Sequence, residues 1–226
     1  MTPTALRPTP ARPRRRLLVP TLGVLAVAFL AFALPPYLML DPADARLPVP
    51  TDLPHYYPML VVHIGFGSVA LLTSVLQVWP WLRRHHPRVH RWSGRAYLFA
   101  GVLPGAVAVL TVAPFGSMGL GQQTGKTVLG VLWLVTGVAG FRAARQRRFA
   151  DHRRWMLRSV ALTWSIVANR GWLVLCLGVF APGALGVGSD VDPAALTVAV
   201  GAATWASWVV NLAAVEWWLR RRPRAR

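Results

Sequence analysis

Residues 57–82 read YPMLVVHIGFGSVALLTSVLQVWPWL, and Arg83-Arg84 follow at once. No Asp, Glu, Lys or Arg interrupts the run. A helix that crosses a bilayer needs about 20 largely apolar residues, so this stretch predicts a membrane-spanning helix. The stretches Leu17–Leu40, Arg95–Pro114, Thr124–Phe141, Trp155–Phe180 and Ala194–Leu219 meet the same standard. The sequence therefore predicts an all-α polytopic membrane protein built as a six-transmembrane-helix bundle. Residues 1–16 and 220–226 are predicted to be basic cytoplasmic tails, the first of them disordered. The first apolar run is long for a signal-peptide core, and no convincing small-x-small cleavage site follows it before Pro35-Pro36, so it reads as a retained anchor.

Composition agrees and excludes other classes. The 226 residues carry a formal charge of +18, yet 54% are hydrophobic and only 14% are charged. A soluble nucleic-acid binder of this charge would be rich in Lys and hydrophilic. Here mean hydropathy is +0.43, and Lys126 is the only lysine among 25 basic residues. A single cysteine, Cys176, excludes a disulfide framework and any CxxC-type zinc or redox motif.

The charge is sorted by loop, which predicts orientation. The N-terminal tail, the turns after segments two and four, and the C-terminal tail together hold 22 of the 25 basic residues. The opposite face has Arg46 and Lys126 against Asp41, Asp44, Asp52, Asp190 and Asp192. Basic residues stay cytoplasmic, so both termini are predicted inside (N-in/C-in). Trp79, Trp81, Trp92, Trp155, Trp217 and Trp218 fall at inner ends and Tyr37, Tyr56 and Tyr57 at outer ends, as an aromatic belt requires. The arginine clusters are accounted for by topogenesis and by anionic lipid at the cytoplasmic face, each basic residue being worth about 1 kcal/mol near the surface. They call for no nucleic acid.

Enzyme motifs are missing from the sequence. Gly119–Thr127 imitates a phosphate-binding loop, but the required glycine is Leu120. The segment reads instead as a flexible, glycine-rich outer connection. No HExxH, GxSxG or paired carboxylates occur, and Glu216 is the only carboxylate inside a predicted span. Hydrolysis has no machinery here. A redox role stays open.

Polar groups at membrane depth are costly and mark function. At 100° per residue, His63, Gly67, Ala70, Ser74, Gln77 and Trp81 form one stripe on segment two. His152, Trp155, Met156, Ser159, Thr163 and Arg170 form another on segment five, and the two stripes are expected to face each other. On ideal helices His63 lies about 9 Å and Arg170 about 3 Å outside the midplane, an offset that an arginine side chain bridges. Arg170 has no carboxylate at its depth, so it meets either an anion or cofactor group, or carbonyls freed by a broken helix. At the cytoplasmic rim, His90 precedes segment three and His152 opens segment five, with Gln77, Asn211 and Glu216 at compatible depths. These two histidines are either ligands of a haem or metal ion, or partners of loop carbonyls and lipid phosphates. His85 and His86 read as interfacial.

The blocks Trp81-Leu-Arg-Arg-His-His-Pro-Arg-Val-His-Arg-Trp-Ser-Gly-Arg-Ala-Tyr97 and Asp151-His-Arg-Arg-Trp-Met-Leu-Arg-Ser159, followed by Asn169-Arg170, resemble the two signatures of a bacterial membrane family, domain of unknown function 2306. The resemblance covers residues 59–171. It implies a multi-pass fold in the bacterial cytoplasmic membrane and no assigned reaction. The family is in turn distantly similar to cytochrome b561 and ferric-reductase haem bundles, which carry histidine pairs at both faces. Here the outer side embeds only His63, so at most one haem is implied.

The first functional reading is a haem-b-binding or redox-associated protein. His63, His90 and His152 are its candidate iron ligands, Arg170 its propionate partner and Gln77 an additional contact. Gly67, one turn from His63, makes room for a planar group. The alternatives are a small anion- or proton-coupled transporter using Arg170 and His63, and a non-catalytic accessory or sensor subunit.

Overall fold

The computed structural model describes residues 14–46, 48–186 and 191–221, with side chains from Leu17 onward. Most of the two predicted tails, and Asp190, lie outside the described residues. The described elements are helical: α1 (Arg14–Ala33), α2 (Pro35–Leu38), α3 (Tyr56–Gln77), α4 (Pro80–His85), α5 (Pro87–Tyr97), α6 (Leu103–Val112), α7 (Gly119–Arg145), α8 (Phe149–Thr163), α9 (Ser165–Phe180) and α10 (Pro193–Arg220). A π turn over Leu98–Val102 joins α5 to α6.

Four helical stretches are long and apolar enough to cross a membrane: Tyr56–Gln77, Pro87–Phe115, Gly119–Arg145 and Pro193–Arg220. A fifth crossing requires α8 and α9 together, which meet at a 44° bend. The sixth expected segment is shorter than the sequence suggests. Its apolar helix runs only from Leu17 to Ala33, because Pro35 and Pro36 start a separate turn of helix.

Three further boundaries differ from expectation, each for a local reason. Segment two stops at Gln77, since Pro80 opens α4 and removes Trp81 from the stripe of α3. Segment three, expected as one span, contains a π turn just before Pro104. Pro104 has no N–H and its ring crowds the carbonyl of Ala100, whose backbone leaves helical values (φ −109°, ψ 15°). Gly119–Thr127 is the first two turns of α7, not a flexible connection. Gly119 begins it at φ +78°, a conformation that favours glycine.

The glycines of α7 explain why that segment is helical. Without water between apolar helices, association depends on close packing at small residues. Gly121 meets Gly201 of α10 backbone to backbone, a Cβ there lying 3.4 Å from the Gly201 Cα. Gly125 faces Thr204 and Trp205, so α7 and α10 run parallel. Farther along, Gly137 receives Leu98 and Val102, and Gly140 receives Trp155 and Met156. The closest approach to main chain joins the second and third crossings: a Cβ on Gly101 would stand 2.9 Å from the Ala70 Cβ and 3.0 Å from its backbone.

The arginine turns gather at one end of the bundle, where α3, α7 and α10 finish and α5 and α8 begin. Arg148 pairs there with Asp151 at 2.8 Å. Arg158 pairs with Glu216, linking α8 to α10. Glu216 is thus the counter-ion of an arginine that the loop count treated as an orientation signal.

Gly101→Ala should destabilise the fold by about 1–3 kcal/mol, because the added carbon overpacks against main chain. Gly67→Ala is the control: its Cβ meets nothing within 4 Å, so it should be neutral or stabilising by up to about 1 kcal/mol. Thermal unfolding in detergent reads both.

Candidate functional site

The bend between α8 and α9 sets the interior, and it has an identifiable cause. Thr163 and Ser165 donate their hydroxyls to the carbonyls of Ser159 (2.9 Å) and Ala161 (3.2 Å), one turn earlier. Asn211 of α10 donates to the same Ala161 carbonyl at 3.2 Å. Hydroxyls and amides that compete for i−4 carbonyls bend helices. His152 and Arg170 therefore do not share a face as a straight helix predicts. His152 turns to α7, its Nδ1 donating to the Gly140 carbonyl at 2.9 Å. Arg170 turns to α1, its guanidinium lying 5.9 Å from the ring centre of Phe29 and 6.0 Å from that of Phe32.

The expected face-to-face meeting of stripes two and five is also changed, because the third crossing lies between them over most of their length. On α3, His63 donates from Nδ1 to the Gly105 carbonyl of α6 at 2.8 Å. Gln77 donates to Ser93 Oγ (2.7 Å) and to the His90 carbonyl (3.2 Å) on α5. Among the hydrogen bonds of this stripe, that of Ser74 crosses to the fifth segment, accepting from Trp164 Nε1 at 3.0 Å.

Between the crossings sits a buried polar chain that fixes its own proton directions. Tyr97 Oη lies 2.7 Å from Ser159 Oγ and 2.8 Å from Thr163 Oγ1, and Trp133 Nε1 donates to Thr163 Oγ1 at 2.9 Å. Thr163 commits its single proton to the Ser159 carbonyl. Its two lone pairs then accept from Trp133 and Tyr97, and Ser159 must donate to Tyr97. Every hydroxyl is satisfied although Tyr97 and Ser159 are fully buried. The sequence stripes contained Ser159 and Thr163, but Tyr97 and Trp133 belonged to no polar pattern; aromatic residues with one polar atom look apolar in a hydropathy window.

This chain places the rim histidines. His90 precedes Tyr97 by seven residues and His152 precedes Ser159 by seven, so each lies two turns, about 10 Å, below the Tyr97–Ser159 contact on nearly the same helix face. The two histidines stand within electrostatic range of each other, with Arg83 and Arg91 near His90. His90 Nδ1 is buried without a hydrogen-bond partner. His85 stacks instead on Trp81 with ring centres 5.4 Å apart, and His86 lies tilted against the same ring at 4.8 Å.

His63 is brought to neither rim histidine. It packs edge-on to Trp133 with ring centres 6.3 Å apart. Its charged neighbour is Lys126, which itself lies in the field of Arg170. Assigned to a loop, Lys126 gave no hint of this place. The spacing Gly121-x-x-x-Gly125 was the signal for a packed helix there.

Helices of this length and apolarity make the chain an all-α multi-pass membrane protein, embedded in a lipid bilayer. It belongs to the family described as Predicted membrane protein (DUF2306), whose model matches residues 60–219. The match therefore runs through α10 instead of ending at residue 171. No curated protein and no solved structure matches the chain.

Thr163→Val should destabilise more than Tyr97→Phe. The first strands two buried donors, Trp133 Nε1–H and the Tyr97 hydroxyl, at about 1–3 kcal/mol each. The second strands only the Ser159 hydroxyl. Unfolding midpoints of the two purified variants give the order.

Proposed function

We propose that the chain is a six-span protein of the bacterial cytoplasmic membrane, with both termini inside, that holds a b-type haem between His90 and His152 at its cytoplasmic rim. The common arginine-rich end of α3, α5, α7, α8 and α10 supports the orientation, and α1 supplies the sixth crossing. The observation that carries the site is the shared level of His90 and His152, set by the Tyr97–Ser159 contact two turns above.

The donor set fits this group better than a lone metal ion. Among the described residues no three His, Cys, Asp or Glu gather as metal ligands, whereas a haem brings four nitrogens and asks the protein for one or two. His152 donates from Nδ1 to the Gly140 carbonyl, which leaves Nε2 with a free lone pair in a fixed orientation. His90 has the complementary feature, a buried nitrogen with no partner. Gln77 holds the helix that carries it, through Ser93 and the His90 carbonyl. Arg83 and Arg91 supply positive charge for propionates, the role that the sequence assigned to Arg170. Bound there, a haem supplies reversible one-electron exchange at a potential set by its axial ligands and surroundings.

Full-length protein purified from haem-replete cells should show a reducible b-type Soret band and a pyridine haemochrome of about one haem per chain. His90→Ala and His152→Ala should each lose most of that haem, and His63→Ala should keep it. Colourless wild-type protein, or haem content indifferent to both rim variants, contradicts the proposal.

A further inference from the structure

The far half of the bundle presents a different chemistry. Arg170 on α9 stands within electrostatic range of Lys126 on α7 and of Arg46 in the chain after α2, and among the described residues none of the three has an ion-pair partner. Arg46 lies 4.0 Å from the ring centre of Phe32 and Arg170 6.0 Å from the same ring, so two guanidiniums share one aromatic side chain. Arg46 also donates to the Phe32 carbonyl. Lys126 and Arg46 both act electrostatically on Arg170 or receive its field. The ion pairs among the described residues are Arg148–Asp151 and Arg158–Glu216, and neither includes any of these three. Asp41 and Asp192 accept from backbone N–H groups of their own turns, at Ala43 and Ala194.

A broken helix offers free carbonyls as an alternative partner for an arginine. Arg170 does not use them: among the described residues its Nε is buried with no hydrogen-bond partner. The space beside it is open as well. A Cβ on Gly171, its neighbour, would meet nothing within 4 Å. Arg170 and Lys126, both partly withdrawn from solvent, repel each other more than in water, and their N–H donors need acceptors; Arg46 adds an exposed charge at the edge. A single oxyanion meets both demands.

We infer that Arg170 and Lys126, with Arg46 at the edge, form a binding site for a phosphate-class oxyanion in the half of the bundle opposite the rim histidines. Charge selects the class: three cations match a phosphate group better than a monocarboxylate, and arginine presents the planar donor fork that phosphate oxygens accept. The group arrives either as free phosphate or as the headgroup of an anionic phospholipid. Phe29 and Phe32 supply an apolar wall in either case.

Native mass spectrometry of the delipidated full-length protein in detergent tests this, with inorganic phosphate and phosphatidylglycerol added separately. At least one of the two probes should give a saturable one-to-one adduct. Arg170→Gln and Lys126→Gln should each weaken it tenfold or more, and Arg170→Lys should weaken it less. A phosphatidylglycerol adduct alone identifies the lipid headgroup, a phosphate adduct alone the free anion, and both support the site. Lys126→Gln guards against a folding defect at Arg170, since it removes a second charge of the site from a different helix. Absence of both adducts, or adducts indifferent to Arg170→Gln and Lys126→Gln, overturns the inference. His90→Ala/His152→Ala protein should bind as the wild type does, so failure of the haem proposal leaves this result readable.

Discussion

The Tyr97 hydroxyl is the constraint on which the arrangement of the bundle depends. In an apolar interior a buried hydroxyl has no water to turn to, so it must find protein partners or be lost at a cost of a few kcal/mol. Tyr97 finds two, Ser159 and Thr163, and they lie on a helix that is not its sequence neighbour. Hydrophobic packing alone leaves apolar helices free to slide and rotate. One fully used hydroxyl chain fixes depth and rotation together, and the Gly101–Ala70 contact fixes the other side of the same crossing.

Both candidate sites follow from that fixed register. Below the hydroxyl chain, equal seven-residue offsets bring His90 and His152 to one level. Above it, the back-bonded hydroxyls of Thr163 and Ser165 bend the fifth crossing. The bend sends Arg170 toward α1, within range of Lys126. One segment of mixed Ser and Thr residues thus separates a histidine end from a cationic end. The two ends share no ligand residue, and their chemistries are testable apart.

Much of this was legible in the sequence, and the limits have physical causes. Apolar runs long enough to span, and arginines confined to alternate turns, are averages over many residues, so they survive local error. The stripe of Ser74, Gln77, Ser159 and Thr163 was visible because helical periodicity places polar atoms on one side. What periodicity cannot supply is the partner. It set α3 against segment five, whereas Gly101, a residue without a side chain, lets the third crossing come closer. It projected His152 and Arg170 along a straight axis, although no proline or glycine marks the bend at Trp164; competing hydroxyls do the bending. It gave Lys126 to a loop because Gly119, Gly121 and Gly125 resemble turn residues, and only packing against α10 shows them to be contact points.

The hydroxyl chain is the feature proposed to set His90 and His152 at one level of the bundle. Spin labels at positions 90 and 152, introduced through cysteines on a Cys176→Ala background, measure this directly by dipolar coupling. One short, narrow distance distribution is expected, and it broadens when Tyr97→Phe and Ser159→Ala are combined. A long or broad distribution with the hydroxyl chain intact would contradict it.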